Sequence, residues 1–253
     1  MPIGVIGIAV GTVLLPEMAS RIAAGDEAGA RRAQNRAIEL TLLLSVPCVV
    51  AFLLVPDLIM RALFMRGKFT EADATAAGQT LAAYALGLLP FVLIRSVTAT
   101  FLARGDTATP VKASLTAVAV NVVCKILLMG PLAQVGLALA TSIGAWLNLV
   151  LITWFAVRHR HLTLSPGLRS AMVRLAGAGG ALALVLWLAR RPIVGLFAGW
   201  ATWRDESTLA VLAVIGGVAY VGIVLALFGR QWLAALRTRK RTAAPATPPL
   251  PFE

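Results

Sequence analysis

Seven long apolar stretches, separated by short polar loops, account for most of this 253-residue chain. Each stretch is close to the roughly 20 residues that an α-helix needs to cross the hydrocarbon core of a bilayer. Transmembrane β-strands would instead be about 10 residues long, with alternating polarity. A helix also pairs its backbone N–H and C=O groups within one segment, as a lipid environment requires. The sequence therefore predicts an all-α fold, a polytopic bundle of transmembrane helices.

The predicted spans are rich in Ala, Leu, Val and Ile and carry few charges. They are Ile3–Ala19, Ala37–Pro56, Ala76–Leu102, Thr109–Gly130, Val135–Val157, Arg169–Ala189 and Thr208–Phe228. The composition agrees, because 59% of the residues are hydrophobic and only 13% are charged. Mean hydropathy is accordingly high, at +0.85.

The connections between the spans differ in character. Gly130–Pro131 ends the fourth span and the fifth begins almost at once, so these two should form a close hairpin. Ser20–Arg36 should be either a short helix on the cytoplasmic surface or a solvated loop. Arg61–Asp73 is amphipathic and carries two phenylalanines among charges, which predicts a position at the outer membrane interface.

The distribution of lysine and arginine predicts the orientation of the chain. If the first span runs inward, fifteen of the 23 Lys and Arg residues face the cytoplasm and six face the other side. The positive-inside rule favours this orientation, with a cytoplasmic C-terminus, over its reverse. The net charge of +12 is spread through the loops rather than gathered on one soluble face. We therefore expect no nucleic-acid partner.

Residue types that catalyse reactions or bind metals are sparsely placed. His159 and His161 share one loop with no acidic residue nearby, and Cys48 and Cys124 both lie within apolar stretches. The acidic residues do not form the clusters that hold a metal ion and a diphosphate. The sequence predicts a protein that is not an enzyme and has no metal or cofactor.

Arg95 lies deep in the third predicted span. A charge at the centre of a bilayer costs about 2.5–3.5 kcal/mol on insertion scales, so Arg95 should face protein or a hydrated cavity. There it would either attract a phosphate or pyrophosphate group or pair with an acid or carbonyl groups in the bundle. Glu39 is a second cavity candidate, although an interfacial ion pair with Arg36, one helical turn away, is the simpler role.

A second polar group lies in the fourth and fifth spans. Lys125 follows Asn121 by four residues, so both lie on one helix face. Thr141 is on the next span, the expected hairpin partner. This cation-site-like cluster would either line a path for an ion or substrate or bond two helices together. Small residues in the first span predict close helix packing or the lining of a cavity: Gly4, Gly7 and Gly11.

Four segments occur in a distinctive order along the chain: GVIGIAVGTVLLPEMA, RGKFTEADA, FLARGDTATPVK and VGLALATSIGAWLN. They resemble the MurJ/MviN lipid II flippase family, and the resemblance extends from Met1 to about Phe228. It implies export of an undecaprenyl-linked peptidoglycan precursor from the cytoplasmic to the periplasmic leaflet by alternating access. The implied partners are lipid II and membrane lipids, and the implied location is the bacterial inner membrane.

The family has fourteen helices: two six-helix lobes around a central cavity, and a final pair that forms a groove for the lipid tail. On that plan the chain corresponds to the second half of an eighth helix through the fourteenth. Residues 1–157 would be part of the C-terminal lobe and 158–229 the groove-forming pair. Residues 230–253 would be a basic, then Pro-rich, disordered cytosolic tail.

The sequence also departs from the family plan. We expect Met1 to fall inside a helix, so that the N-terminal lobe would come from the same or a separate chain. Lys125 stands in a region where sodium-coupled members of the family hold a cation, and its ammonium group would repel one. Two alternatives remain open. The chain could belong to a flippase for another lipid-linked oligosaccharide, or be a truncated membrane module that transports nothing.

Overall fold

The computed structural model describes residues 2–163, 165–197, 199–200 and 203–237, and the side-chain surroundings of those between 13 and 229. All regular secondary structure in this part of the chain is α-helical, which confirms the predicted all-α fold. The helices, in chain order, are α1 (Pro2–Ala23), α2 (Glu27–Leu54), α3 (Pro56–Phe64), α4 (Glu71–Leu102), α5 (Ala108–Arg158), α6 (Pro166–Leu196) and α7 (Arg204–Arg237).

Helix α5 is a hairpin with a first arm, residues 108–132, and a second arm, residues 134–158. The backbone breaks at Ala133, whose φ of 46° and ψ of −127° are not helical. The arms then run side by side, since Asn148 Nδ2 donates to Ser114 Oγ over 3.3 Å. A methyl group on Gly136 would clash with the carbonyl of Leu128. These contacts confirm the predicted close hairpin.

Five helices in the described part of the chain are long and apolar enough to cross a membrane: α2, α4, α5, α6 and the Arg204–Gly229 part of α7. Because α5 supplies two antiparallel arms, these five helices contain six of the seven predicted spans. The remaining span, Ile3–Ala19, lies within α1. The side chains of residues 1–12 fall outside the described residues.

Two predicted connections differ from the structure. Ser20–Arg36 is neither a separate surface helix nor a loop, because α1 continues to Ala23 and α2 begins at Glu27. The turn between them is short because Gly25 adopts a φ of 74° and Asp26 Oδ1 accepts a hydrogen bond from the N–H of Gly29 over 2.7 Å. Similarly, the residues assigned to a tail begin as helix, since α7 continues past a break at Gly229 to Arg237. Residues 238–253 lie outside the described residues.

Contacts among the connections define one end of the bundle, which we call the basic end. Arg104, after α4, pairs with Glu27 at the start of α2. Asn35 Nδ2 donates to Ser165 Oγ, at the start of α6, over 3.1 Å. The α1–α2, α4–α5 and α5–α6 connections therefore lie together.

The opposite end, which we call the α3 end, is held by contacts between α3, α6 and α7. Arg61 Nε lies 3.6 Å from Asp205 Oδ2. Arg190 Nη1 donates to the carbonyl oxygen of Leu54 over 3.3 Å. The C-terminal ends of α2 and α6 and the N-terminal end of α7 therefore meet here, and the long helices alternate in direction between the two ends.

Buried apolar side chains join the long helices over most of their length. Phe101, Ile152 and Leu168 lie in one cluster that joins α4, the second arm of α5 and α6. Leu182 and Leu212 lie in another cluster, which joins α6 to α7. Each of these five side chains is almost fully buried, so they hold α6 and α7 against the rest of the bundle.

A proline inside α4 removes one backbone donor from that helix. Pro90 has no N–H, so the carbonyl oxygen of Leu86, four residues earlier, loses its helical partner. The indole Nε1 of Trp146, on the second arm of α5, donates to this oxygen over 2.9 Å. An unpaired carbonyl in a lipid-exposed helix is costly, so Trp146 both satisfies α4 and fixes the hairpin against it.

Helix α2 repeats the arrangement with a different aromatic residue. Pro47 lies inside α2, which leaves the carbonyl oxygen of Leu43 without its helical donor. The hydroxyl of Tyr220, from α7, donates to Leu43 O over 2.8 Å. An aromatic side chain from a distant helix thus replaces the missing backbone bond in both cases.

We predict that Trp146→Phe lowers the free energy of unfolding by about 1 kcal/mol, because Leu86 O loses its donor while an aromatic ring remains. In a Pro90→Ala background the same substitution should cost less, since the N–H of residue 90 can then donate to Leu86 O. Unfolding of the single and double variants in denaturing detergent measures this coupling.

Trp187→Phe is the matched control, because Trp187 is 63% exposed and has no polar contact with the described residues. It should leave stability nearly unchanged. An equal loss from Trp146→Phe in both backgrounds would contradict the proline-compensation account.

Candidate functional site

One exposed face of α4 carries a charge within an apolar stretch of the helix. Tyr84, Phe91, Arg95 and Leu102 are spaced by seven, four and seven residues, so they share one side of the helix. All four side chains are exposed, whereas Val92 on another side of α4 is only 1% exposed. We call the surface formed by these four exposed residues the Arg95 face.

Arg95 forms neither a hydrogen bond nor an ion pair with any described residue. It lies seven residues before the end of α4 at Leu102, a distance of about 10 Å along the helix axis. No described acid is within ion-pairing range of Arg95. The predicted alternative, in which Arg95 pairs with a group inside the bundle, therefore finds no partner among the described residues. Its role toward a phosphate stays a prediction.

The other cavity candidates lie on α1 and α2. Glu39 is half-buried on α2, and it and Arg36 both interact with other groups of the chain. Helix α1 packs against both α2 and α4. Three glycines of α1 lie where side-chain surroundings fall outside the described residues, so their predicted role stays untested: Gly4, Gly7 and Gly11.

The hairpin brings the second predicted cluster to one level of the bundle. A Cβ on Gly144 would lie 2.9 Å from the Cβ of Asn121, which fixes the register of the two arms. This register places Thr141 at the level of Lys125. Asn121 and Lys125 lie on the first arm, one turn apart, and both are half-buried.

The polar groups of this cluster differ in how they are satisfied. Thr141 Oγ1 donates to Leu137 O of its own helix over 2.9 Å. Asn121 Oδ1 is buried and has no hydrogen-bond partner among the described residues. The Lys125 ammonium also has no polar partner there. The cluster therefore retains one unpaired oxygen and one unpaired cation, and the choice between a transport path and helix bonding stays open.

Sequence reasoning missed a set of buried polar side chains on α2 and α4, two helices that pack against each other. The five side chains are fully buried, and each has a polar atom without a hydrogen-bond partner among the described residues: Gln34, Thr41, Ser45, Ser96 and Thr100. Thr41 and Ser45, like Ser96 and Thr100, are four residues apart on one helix. The four-residue spacing is visible in the sequence and places each pair on one helix face. The sequence does not show that these two helices pack together.

Sequence reasoning also missed the bonds that attach the hairpin to α4. Ser142 Oγ, buried on the second arm, donates to Ala83 O over 2.7 Å. A Cβ on Gly87 would lie 2.7 Å from this hydroxyl oxygen, so only glycine leaves room for the contact. The polar cluster is thus carried by a hairpin that is fixed against the same helix as Arg95.

The two histidines at the basic end stack against each other. Their ring centroids are 5.6 Å apart and the rings are nearly parallel. Burial, together with Arg104 and His159, lowers the pKa of His161 below its usual value, which favours the neutral ring. No three His, Cys, Asp or Glu side chains come together in the described part of the chain.

We predict that Gly136→Ala destabilises the protein by about 1–3 kcal/mol, because its methyl group would press on the backbone of Leu128 and separate the two arms. Gly177→Ala on α6 is the matched control, since nothing lies within 4 Å of a Cβ there. The control should be neutral or stabilising, by up to about 1 kcal/mol. Equal effects of the two substitutions, measured by thermal unfolding in detergent, would contradict the packing of the hairpin.

Comparison with known proteins identifies the family. A family model described as lipid II flippase MurJ matches residues 1–203. A probable lipid II flippase MurJ from Rhizobium tropici is 37% identical over 252 residues, which cover 97% of this chain and 46% of that protein. One from Rickettsia prowazekii (strain Madrid E) is 30% identical over 232 residues, covering 92% of this chain and 44% of the relative. The chain spans less than half the length of these relatives.

Solved structures show the same fold. A structure titled lipid II flippase MurJ, inward closed conformation, matches with a TM-score of 0.73 and 20% identity, over 92% of this chain and 45% of the other. An inward-facing multidrug resistance MATE transporter of the MOP superfamily matches with a TM-score of 0.54 and 17% identity, over 92% and 56% of the two chains. The fold and the match of the family model over most of the sequence agree, and the chain belongs to the MurJ family of lipid II flippases.

Proposed function

We propose that this chain forms part of a lipid II flippase. The complete transporter would move the undecaprenyl-linked peptidoglycan precursor from the cytoplasmic to the periplasmic leaflet by alternating access. The observation that carries the proposal is Arg95, exposed and unpaired among the described residues, seven residues inside the C-terminal end of an apolar helix. The family relationship supports the choice of substrate.

The physical argument starts from the cost of a charge in lipid. A guanidinium about 10 Å inside the end of α4 would be costly if it faced hydrocarbon, so we infer that the Arg95 face borders water or another protein surface. A flippase needs a hydrated passage for a headgroup that carries a diphosphate. Arginine binds phosphate oxygens through paired N–H groups, so Arg95 is suited to the wall of that passage.

A second lobe would form the other wall. The relatives are more than twice as long as the part matched here, and the proposed partner is the N-terminal lobe, in the same or a separate chain. Residues 1–157 would then be part of the C-terminal lobe. Residues 158–229 would guide the prenyl tail, since α6 and α7 expose large apolar side chains such as Trp187, Leu188 and Val218.

The charge at the two ends supports an orientation in a bacterial inner membrane. The basic end carries Arg21, Arg31, Arg32, Arg36, Arg104, Lys112, Arg158, Arg160 and Arg169, and the α3 end carries Arg61, Arg66, Lys68, Arg190, Arg191 and Arg204. The positive-inside rule assigns the basic end to the cytoplasm and the α3 end to the periplasm. The C-terminus would then be cytoplasmic.

We predict that Arg95→Gln, introduced in the native organism, lowers lipid II translocation at least about tenfold, the loss expected for one charge-assisted phosphate contact. Arg95→Lys should retain part of the activity, because it keeps the charge but not the paired N–H groups. Translocation is measured as the lipid II in spheroplasts that a membrane-impermeant, lipid II-cleaving enzyme can reach.

Lys112→Gln is the matched control, because Lys112 is exposed at the start of α5 and its side chain has no polar partner among the described residues. It should leave translocation unchanged. Normal translocation in Arg95→Gln cells would contradict the proposal. Loss of a surface polysaccharide with normal lipid II translocation would favour another lipid-linked oligosaccharide as substrate. Normal growth and translocation after deletion of the gene would favour a module that transports nothing.

We also predict that Lys125→Met impairs translocation, because Lys125 would act as a built-in cation in the cluster with Asn121 and Thr141. Methionine keeps the length and the apolar stem of the side chain. Val123→Met, at an exposed position of the same helix, should have no effect. Unchanged translocation in Lys125→Met cells would show that this cluster serves helix packing.

A further inference from the structure

The α3 end contains a cavity of about 240 Å³ whose charged lining is basic. Arg61 of α3 and Arg190 and Arg191 of α6 line it, together with the apolar side chains of Leu58 and Val194. These five residues come from two helices that are about 130 positions apart in the sequence. The described lining contains no acidic residue.

The arginines around this cavity are poorly compensated within the chain. Asp205 Oδ2 lies 3.6 Å from Arg61 Nε, a distance at which the groups attract but do not form a short hydrogen bond. Arg61 Nε is itself buried and has no hydrogen-bond partner among the described residues. Three guanidinium groups and one carboxylate leave a formal charge of +2.

Most N–H donors of the three arginines have no hydrogen-bond partner among the described residues. Each guanidinium has five N–H donors. Arg190 donates to the carbonyl oxygen of Leu54 over 3.3 Å, and Arg191 has no polar partner among the described residues. Like charges around one cavity repel each other. The cavity is therefore complementary to an anion with several acceptor oxygens.

The apolar surroundings indicate that this anion belongs to a lipid. Leu58 and Val194 form part of the wall, and nearby on α6 Leu188 and Leu196 are 58% and 74% exposed. A small soluble anion would gain nothing from these apolar surfaces. A lipid would place its phosphate among the arginines and its hydrocarbon tail along α6.

We propose that this cavity binds the diphosphate of a prenyl-diphosphate lipid, the chemical class to which lipid II belongs. A diphosphate diester carries two negative charges, which match the formal charge of the site, whereas a common phospholipid phosphate carries one. The assignment rests on the proposed function, in whose orientation the α3 end faces the periplasmic leaflet. The site would then hold the headgroup after it has crossed the membrane.

The test measures binding of three probes to the full chain, purified in detergent: lipid II, phosphatidylglycerol and inorganic pyrophosphate. Arg191→Gln removes a side chain without polar contacts in the described structure, and it should weaken lipid II binding about tenfold. Arg190→Gln combined with Arg191→Gln should weaken it further. Asp205→Asn should tighten binding, because it raises the charge of the site and releases Arg61.

The control is Arg158→Gln combined with Arg160→Gln, two exposed arginines at the basic end, which should not change binding. The tightening by Asp205→Asn is a result that a purely structural role of the arginines would not produce. Circular dichroism and size-exclusion chromatography verify the fold of each variant.

Three results would overturn the proposal. Lipid II binding could be insensitive to both arginine variants, phosphatidylglycerol could bind as tightly with the same sensitivity, or inorganic pyrophosphate could bind as tightly as the lipid. The Arg95 translocation assay tests a different site. Lost binding sensitivity with an intact Arg95 effect removes only this site. Intact binding sensitivity without an Arg95 effect removes the proposed function, and with it the assignment of this site to the periplasmic leaflet.

Discussion

The architecture depends on one constraint: a backbone carbonyl in a lipid environment must have a donor. Pro47 and Pro90 each break this rule inside a long helix, and the structure restores it with an aromatic side chain from elsewhere in the sequence. Trp146 and Tyr220 thereby connect α5 to α4 and α7 to α2 with directional bonds. Apolar packing alone specifies such pairings weakly in lipid, because lipid tails are as apolar as the helices themselves.

Two of the four segments that carry the family resemblance span connections between helices, and the other two lie within α1 and α5. In RGKFTEADA, Thr70 and Asp73 form a reciprocal capping box that begins α4. In FLARGDTATPVK, Gly105 adopts a φ of 75° and Asp106 Oδ1 accepts from the N–H of Thr109 over 3.0 Å. That backbone N–H also lowers the pKa of Asp106. These two motifs therefore specify the geometry of the connections on either side of α4.

The sequence predicted the helices because the length of an apolar stretch is set by the thickness of the bilayer and does not depend on which helix packs beside it. It did not predict the extent of α1 and α2 around Gly25, because polar residues there continue the helices beyond the apolar stretch. The site was predictable only in part. Arg95 is conspicuous as a charge within an apolar span, whereas the cavity formed by Arg61 and Arg190 depends on tertiary contacts between distant segments. The prolines did contain a usable signal, because a proline inside a helix identifies the carbonyl group, four residues earlier, that needs a new donor.

The two arms of α5 meet through glycine. At two points there is no room for a methyl group: Gly136 lies against the backbone of Leu128, and Gly144 lies against the side chain of Asn121. Ser142 and Trp146 then attach this pair to α4. Three membrane crossings are in this way joined into one mechanical unit. Any movement of this part of the chain would have to carry them together, because sliding between them would break the bonds from Ser142 and Trp146.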